Sequence, residues 1–314
     1  MTAGANERAR MNSVASADGT PIRYSSLGEG PGLIIVGGVL SSGSDYLPLA
    51  HMLAQDFEVH VIDRRGRPGS GPQRQSHSIE DECADLIAVA ARTGATAVFG
   101  HSFGGLVVLE TARRQPVFTR LFVYEPGVPL RGQFSFNWLA GYQQRLGSGD
   151  RSGAFAWMVK HNGFAPRPLA VMPVWFVRAM LRLAIGPRQW ASMDRLLETN
   201  LVEHRIQAAL DAPSAERFST ITAGTLLMGG TKSPAIISQQ LLAELAEVIP
   251  NVTVAMLSGL DHLAPQHHPS QIATAILTDR NRTQPAPSSR ARTPPSTTPI
   301  PSTDSPAQPA RRER

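Results

Sequence analysis

Cysteine is almost absent from these 314 residues, with Cys83 the single example. One thiol cannot build a disulfide framework or a cysteine-ligated zinc site. Cys83 also falls inside a helical pattern, where its expected role is that of a small buried apolar side chain. Uninterrupted apolar runs are missing too. The longest stretch, Leu169 to Ile185, is broken by Pro173, Arg178 and Arg182, which disfavours a membrane span and suits an amphipathic lid helix. Nothing at the amino terminus resembles a signal peptide. Met1 to Val14 is polar, carries Glu7, Arg8 and Arg10, and reads as a loose start, with residues 1–13 a flexible segment. A cytoplasmic location is the matching expectation.

An excess of one charge is also lacking where the chain can fold. The formal charge is +5, but seven arginines from Arg280 to Arg314 stand against only Asp304 and Glu313, and this segment accounts for all of it. With the folded part near neutral and no basic stripe in view, no nucleic-acid partner is expected. Beyond Asn281 the chain is Pro, Ser, Thr and Arg with almost nothing to bury, so residues 281–314 are predicted to be a disordered tail. No internal repeat stands out.

What is present is enough apolar content, 42%, to bury one substantial core, so a single domain with an inserted subdomain is expected. After a hairpin over Asp18-Gly19, short β-rich runs occur at Leu33 to Val36, Val59 to Ile62, Ala97 to Phe99, Leu121 to Tyr124, Thr225 to Met228 and Val252 to Met256. Helical patterns fall between most of them: Tyr46 to Ala54, Ile79 to Thr93, Phe103 to Gln115 and Ile236 to Val248, with Ser270 to Leu277 at the end. Apolar strands separated by helices imply an α/β fold, a mostly parallel sheet with helices on both faces. The alternation breaks over 127–218, where Trp, Met, Phe and Arg recur at helical spacing, so this segment is predicted to be a helical cap between core segments 14–126 and 219–280. In an open parallel sheet function gathers beyond the carboxyl ends of the strands, which such an insertion would roof.

The chemistry is concentrated at Gly100-His101-Ser102-Phe103-Gly104, a G-x-S-x-G between the strand at Ala97 and the helix at Phe103. Glycines two residues either side of the serine allow a tight, strained turn that exposes its hydroxyl. The helix begins at the serine, so its unpaired N–H groups favour developing negative charge, and the Phe103 N–H is a natural oxyanion donor. A second loop, Gly37-Gly38-Val39-Leu40 after its strand, can aim another N–H at the same place. Of nine histidines, His262 is the best placed as general base, because it follows the last strand in the chain order serine, acid, histidine. His101 adjoins the serine but should point elsewhere, and His161, His204, His267 and His268 are read as satisfied or solvated.

From about Val14 to Leu277 the chain resembles the α/β-hydrolase superfamily, and Asp63 to Gly71 is similar to the D-x-R-G-x-G-x-S loop of many members. The resemblance implies a Ser, His and acid triad, with an oxyanion hole formed by Phe103 and, in the first loop, Val39. Many relatives have His-Gly where this chain has Gly37-Gly38. The acid departs further: Gly229-Gly230-Thr231-Lys232-Ser233-Pro234 offers lysine where relatives often carry aspartate. Some members place the acid after the strand that follows the nucleophile helix, which makes Glu125 the candidate here, with Asp261 the weaker contender.

The expected function is that of a serine hydrolase cleaving an ester, lactone or thioester of a small apolar substrate through an acyl-enzyme. That mechanism requires no cofactor and no metal. Its expected partner is a small-molecule substrate, and no oligomeric state follows from it. Serine at the elbow argues against the dehalogenases and epoxide hydrolases of the superfamily, whose nucleophile is a carboxylate. An acyltransferase or cyclase, a perhydrolase-like side activity, and an inactive ligand-binding homologue remain alternatives, the last because of Lys232. The cap aromatics Phe155, Trp157, Phe164, Trp175, Phe176 and Trp190 either line an apolar substrate pocket or pack the cap on the core.

Overall fold

Eight short strands pair edge to edge in the computed structural model, which describes residues 9–74, 76–163, 167–235 and 237–283. They are β1 (Arg10–Ala15), β2 (Pro21–Leu27), β3 (Gly32–Val36), β4 (Glu58–Asp63), β5 (Ala97–His101), β6 (Arg120–Tyr124), β7 (Gly224–Gly230) and β8 (Val252–Leu257). Their order across the sheet is β1-β2-β4-β3-β5-β6-β7-β8. β1, β2 and β4 are joined antiparallel, and every pairing from β4 through β3 to β8 is parallel. Parallel neighbours need crossovers, and the helical patterns supply them.

Alternate residues of each central strand feed opposite layers, as the period of two demands. Ile34, Val36, Val98 and Val123 pack with Leu86 of α2 (Ile79–Thr93), Val107 of α3 (Phe103–Arg114) and Leu242 of α10 (Gln239–Val248). Leu33, Ile35, Phe99 and Phe122 pack with Leu49 and Leu53 of α1 (Leu47–Leu53) and Ile272 and Ile276 of α12 (Pro269–Thr283). The covering is incomplete at the sheet edges, where Met11 of β1 and Val254 and Met256 of β8 remain exposed.

The cap is helical, as the loss of alternation implied. It comprises α4 (Leu139–Gly147), α5 (Arg151–His161), α6 (Arg167–Val171), α7 (Val174–Ala184), α8 (Pro187–Asp194) and α9 (Leu197–Ala209). Its own small core joins Trp138, Tyr142, Phe155 and Leu197. Among the described residues no helix is long and apolar enough to cross a membrane.

Three boundaries differ from expectation. The flexible start assigned to 1–13 is corrected from Arg10 onward, because β1 pairs with β2 from Arg10 opposite Ser26 to Ala15 opposite Pro21. A polar edge strand gains its order from backbone hydrogen bonds, which leave no apolar signature. The predicted helix at Tyr46 splits into a 3-10 turn over Gly43–Tyr46 and then α1, with Pro48 in its first turn. The last helix continues to Thr283, three residues into the segment read as tail. The remainder of that tail, 284–314, lies outside the described residues, as do 1–8, Phe164 and Ile236.

The loop after β4 is tied to the hairpin by Arg65, which is fully buried. Its Nε and Nη2 each donate to Asp85 of α2 at 2.7 Å, and its Nη1 donates to Asp18 at 2.6 Å. The same guanidinium holds the Asp18 carboxyl far below the usual carboxylate range. Removing one member of a buried pair strands the other charge away from water. Arg65→Leu should therefore lower unfolding stability by about 3–5 kcal/mol in urea titration, and adding Asp85→Asn should restore part of that loss.

Candidate active site

The register of the sheet sets the site. β5 pairs with β6 so that His101 lies opposite Tyr124, and β6 pairs with β7 so that Tyr124 lies opposite Met228. The ladder runs one residue further on each: the Ser102 N–H donates to the Tyr124 carbonyl at 3.1 Å, and the Glu125 N–H to the Met228 carbonyl at 2.9 Å. Ser102 and Glu125 thus leave adjacent strand ends side by side. Both adopt positive φ, 55° and 42°, a conformation costly for residues bearing a Cβ and held here by the surrounding turns. At Gly104 an added Cβ would collide with the carbonyls of Val36 and Gly37, which is why the serine turn requires glycine there.

His262 closes the line. Its Nε2 lies 3.1 Å from Ser102 Oγ and its Nδ1 lies 2.7 Å from Glu125 Oε2. The consistent proton assignment has Nδ1–H donating to the carboxylate and the serine hydroxyl donating to Nε2. Glu125 is 1% exposed. Its other contacts come from the loop after β7, where the Gly230 N–H donates to Oε1 at 2.7 Å and the Ser233 hydroxyl to Oε2 at 2.9 Å. That loop supplies donors to a carboxylate rather than the carboxylate itself, and Lys232 within it is exposed. Asp261 does not join the group. Its carboxylate accepts the Leu263 N–H at 3.0 Å, and its carbonyl accepts the Tyr124 hydroxyl at 2.7 Å.

His101 turns away from Ser102, as expected, and its contacts lie far off in the chain, where no local signal marks them. Nε2–H donates to the His262 carbonyl at 2.8 Å, and Nδ1 accepts the Tyr46 hydroxyl at 2.7 Å. The two imidazole rings sit 4.9 Å apart. Burial, with the nearby His262 adding to it, holds His101 well below the usual histidine pKa. It therefore stays neutral and anchors the His262 backbone.

Three further residues gather around the first loop. The Gly38 carbonyl accepts from Arg64 Nη2 at 2.9 Å, Arg67 Nη2 at 3.1 Å and the Ser41 hydroxyl at 2.9 Å. Arg64 Nε also holds the Gly37 carbonyl at 3.0 Å, and Arg67 Nε the Ser41 carbonyl at 3.0 Å. Glu203 of α9, fully buried, pairs with both guanidiniums. In a trans peptide the C=O and the following N–H point to opposite sides. Drawing the Gly38 carbonyl toward the arginines therefore turns the Val39 N–H away from them. Val39 lines the cavity over Ser102. Phe103, the first residue of α3, carries its N–H at the helix start, and its ring lies under Arg64.

That cavity, of about 150 Å³, is bounded by Ser102, His262, Phe134, Phe136, Trp138 and Met158 among others. None of the five cap aromatics proposed from sequence that are among the described residues borders it. Phe155 and Trp190 pack edge to face within the cap, Trp157 lies against His161, Trp175 and Phe176 are exposed, and Phe164 lies outside the described residues. His204, read from sequence as a satisfied cap histidine, does border the cavity together with Gln207. Its Nδ1 is satisfied by the Asn200 carbonyl at 2.9 Å. The signal lay in the helical spacing of Asn200, His204 and Gln207, which puts all three on one face.

Comparison with known proteins agrees with this architecture. The chain is similar to an alpha/beta hydrolase from Sphaerobacter thermophilus, with 31% identity and a TM-score of 0.72 over 85% of this chain and 99% of that one. A thermophilic esterase from Thermogutta terrifontis shares the fold at 18% identity and a TM-score of 0.66, covering 87% of this chain and 98% of its own. A curated protein of Escherichia coli O7:K1 that bears the name of a carbamate hydrolase, RutD, is 30% identical over 160 residues, 49% of this chain. The chain spans about half the length of that relative, 56%. The model of the alpha/beta hydrolase family matches residues 33–275, and the chain belongs to that family.

Proposed function

We propose that this chain is a serine hydrolase that cleaves an ester, lactone or thioester of a small apolar substrate through an acyl-enzyme. The observation that carries the reading is the hydrogen-bonded line from Ser102 through His262 to Glu125. Ser102 Oγ attacks the substrate carbonyl as its proton passes to His262 Nε2. Glu125 holds Nδ1–H and stabilises the imidazolium that forms. The oxyanion accepts the N–H groups of Phe103 and Val39, each worth about 3 kcal/mol by analogy with other such sites. His262 then returns its proton to the leaving group. It next takes a proton from water, whose oxygen attacks the acyl carbon, and passes that proton to Ser102 Oγ as the acyl–oxygen bond breaks and the acid leaves.

Substrate class follows from the walls. A cavity of about 150 Å³ bordered by Phe134, Phe136, Trp138, Met158 and Ile237 suits a short apolar acyl group. His204 and Gln207 offer it two polar contacts. Because one relative bears the name of a carbamate hydrolase, carbamates belong in the same substrate panel.

Ser102→Ala and His262→Ala should each abolish turnover of short-chain nitrophenyl esters while leaving the melting profile intact, and a fluorophosphonate should label the parent but not Ser102→Ala. Glu125→Gln should slow kcat by at least tenfold, whereas Asp261→Asn should leave it nearly unchanged; the reverse order would remove Glu125 from the mechanism. Arg67→Lys and Glu203→Gln should lower kcat about tenfold to a hundredfold with little change in KM, since a misaimed Val39 N–H loses stabilisation present only in the transition state. Unaltered kcat in both variants would separate the arginines from the oxyanion loop.

His101 makes a pH prediction. Its folded pKa is depressed, so the unfolded chain takes up a proton that the folded chain does not. The stability linked to it is complete above the ordinary histidine value, about 6.5, and is lost as pH falls below that. In urea titrations between pH 7 and 5, His101→Gln should show a shallower loss of stability than the parent.

A further inference from the structure

Between Asp150 and Asp194 the chain contains no acidic residue, but it contains Arg151, Lys160, Arg167, Arg178, Arg182 and Arg188. Helices α6 and α7 of this segment carry the exposed apolar side chains of the cap. Helix α7 reads VWFVRAMLRLA and is apolar on nearly every side. Such a helix is ordinarily buried. Here Val177 faces inward and is fully covered, yet the opposite stripe is open to solvent: Trp175 is 70% exposed, Leu183 91%, Met180 46% and Phe176 36%. Val171 at the end of α6 adds a further side chain at 77% exposure. Trp175, Ala179 and Leu183 follow one another at intervals of four, so they form one continuous line along the helix.

The cations border this stripe. Arg182 precedes Leu183 on α7, and Arg188 opens α8. Both are exposed, and neither makes an ion pair among the described residues. By contrast Arg178 is engaged by Asp150 at 2.9 Å, and Arg151 by Asp194 at 2.7 Å. The face therefore combines an indole, aliphatic side chains and two arginines that make no ion pair among the described residues; Asp150 and Asp194, which line a cleft with Arg182, are held by Arg178 and Arg151. Indole rings and apolar side chains bordered by arginine suit the boundary between headgroups and acyl chains, where the rings sit at headgroup depth and the cations meet anionic lipid.

A second copy of the chain suits it poorly. A two-fold contact through this face would bring two sets of these arginines together, and the nearest carboxylates, Asp150 and Asp194, already engage Arg178 and Arg151. We propose that the outer face of the cap, centred on Trp175 and Leu183, docks on anionic lipid surfaces. Docking there would leave the cavity side of the cap in place, because the stripe faces away from α5, whose Met158 borders the site.

The test uses the full chain carrying Ser102→Ala, so that lipid cannot be consumed whether or not the proposed hydrolysis occurs. It should cosediment with phosphatidylcholine vesicles that contain phosphatidylglycerol, more weakly with phosphatidylcholine alone, and less as salt is raised. Trp175→Ser and Leu183→Ser should each weaken that partitioning about tenfold, and Arg182→Gln with Arg188→Gln should remove most of the preference for anionic lipid. Unchanged circular dichroism melts of these variants establish that the fold is retained. Failure to cosediment would overturn the proposal. So would binding that the four substitutions leave untouched, which would place the contact elsewhere on the chain. A dimer in sedimentation equilibrium that Leu183→Ser dissociates would overturn it equally, by making a second copy the occupant.

Discussion

The three arginines that follow Asp63 lie in the interior, and the placement of the site depends on how their charge is satisfied. Arg64, Arg65 and Arg67 are all 3% exposed or less. Taking a guanidinium out of water costs several kcal/mol unless both its charge and its donors are met. Arg65 is met by Asp85 and Asp18, which secures the hairpin against α2. Arg64 and Arg67 are met by Glu82 and Glu203 and by the carbonyls of the Gly37 to Ser41 loop. Each partner lies on a different element, so α2, the first loop and cap helix α9 are held to one another by groups that cannot be released singly without stranding a buried charge. The loop that carries Val39 inherits its orientation from that requirement. The Gly37-Gly38 pair has no side chain of its own to fix a peptide plane, and the three donors on the Gly38 carbonyl do so instead.

Much of the fold is legible along the chain because its signals are local. The apolar runs at Leu33, Val59, Ala97, Leu121, Thr225 and Val252 all become strands, and the helix read at Ile79 to Thr93 has those same bounds in the structure. The serine turn is legible for the same reason, since its glycines lie within two residues of Ser102. His262 and Glu125 could be proposed from chain order and from their positions after strands. Pairings across long separations have no such trace. Arg67 and Glu203 stand 136 residues apart, and a motif of arginines and glycines reads as a surface loop until its acidic partners are known. The hairpin over Asp18-Gly19 is legible, but the reach of polar β1 back to Arg10 is set by its pairing with β2, and the cavity walls at Phe134, Phe136 and Trp138 come from a segment where no regular period operates.

With Glu125 as the proposed acid, one position can change without dissolving the arrangement. An imidazole needs a carboxylate at Nδ1, but the strand that bears it matters less than the point it reaches. With Glu125 on the β6 end, the loop after β7 faces a buried carboxylate, and a second acid there would place two like charges in one small space. Gly230 and Ser233 instead present an N–H and a hydroxyl, donors that satisfy the buried Glu125 carboxyl where water is excluded. Lys232 can then point to solvent, since nothing at its position must touch the histidine.

The two sides of the cap obey different constraints. Its inner side is apolar for a reason internal to the chain, because Trp138, Tyr142, Phe155 and Leu197 form a small core and Met158 closes the cavity. Its outer side has no such reason. A side chain as exposed as Leu183 adds little to the folded state through burial, and an arginine beside it that makes no ion pair among the described residues adds little through charge. Selection for stability alone would favour polar residues along that line, as on the outward faces of most surface helices. An apolar stripe edged by cations is the pattern that the proposed docking on anionic lipid would account for.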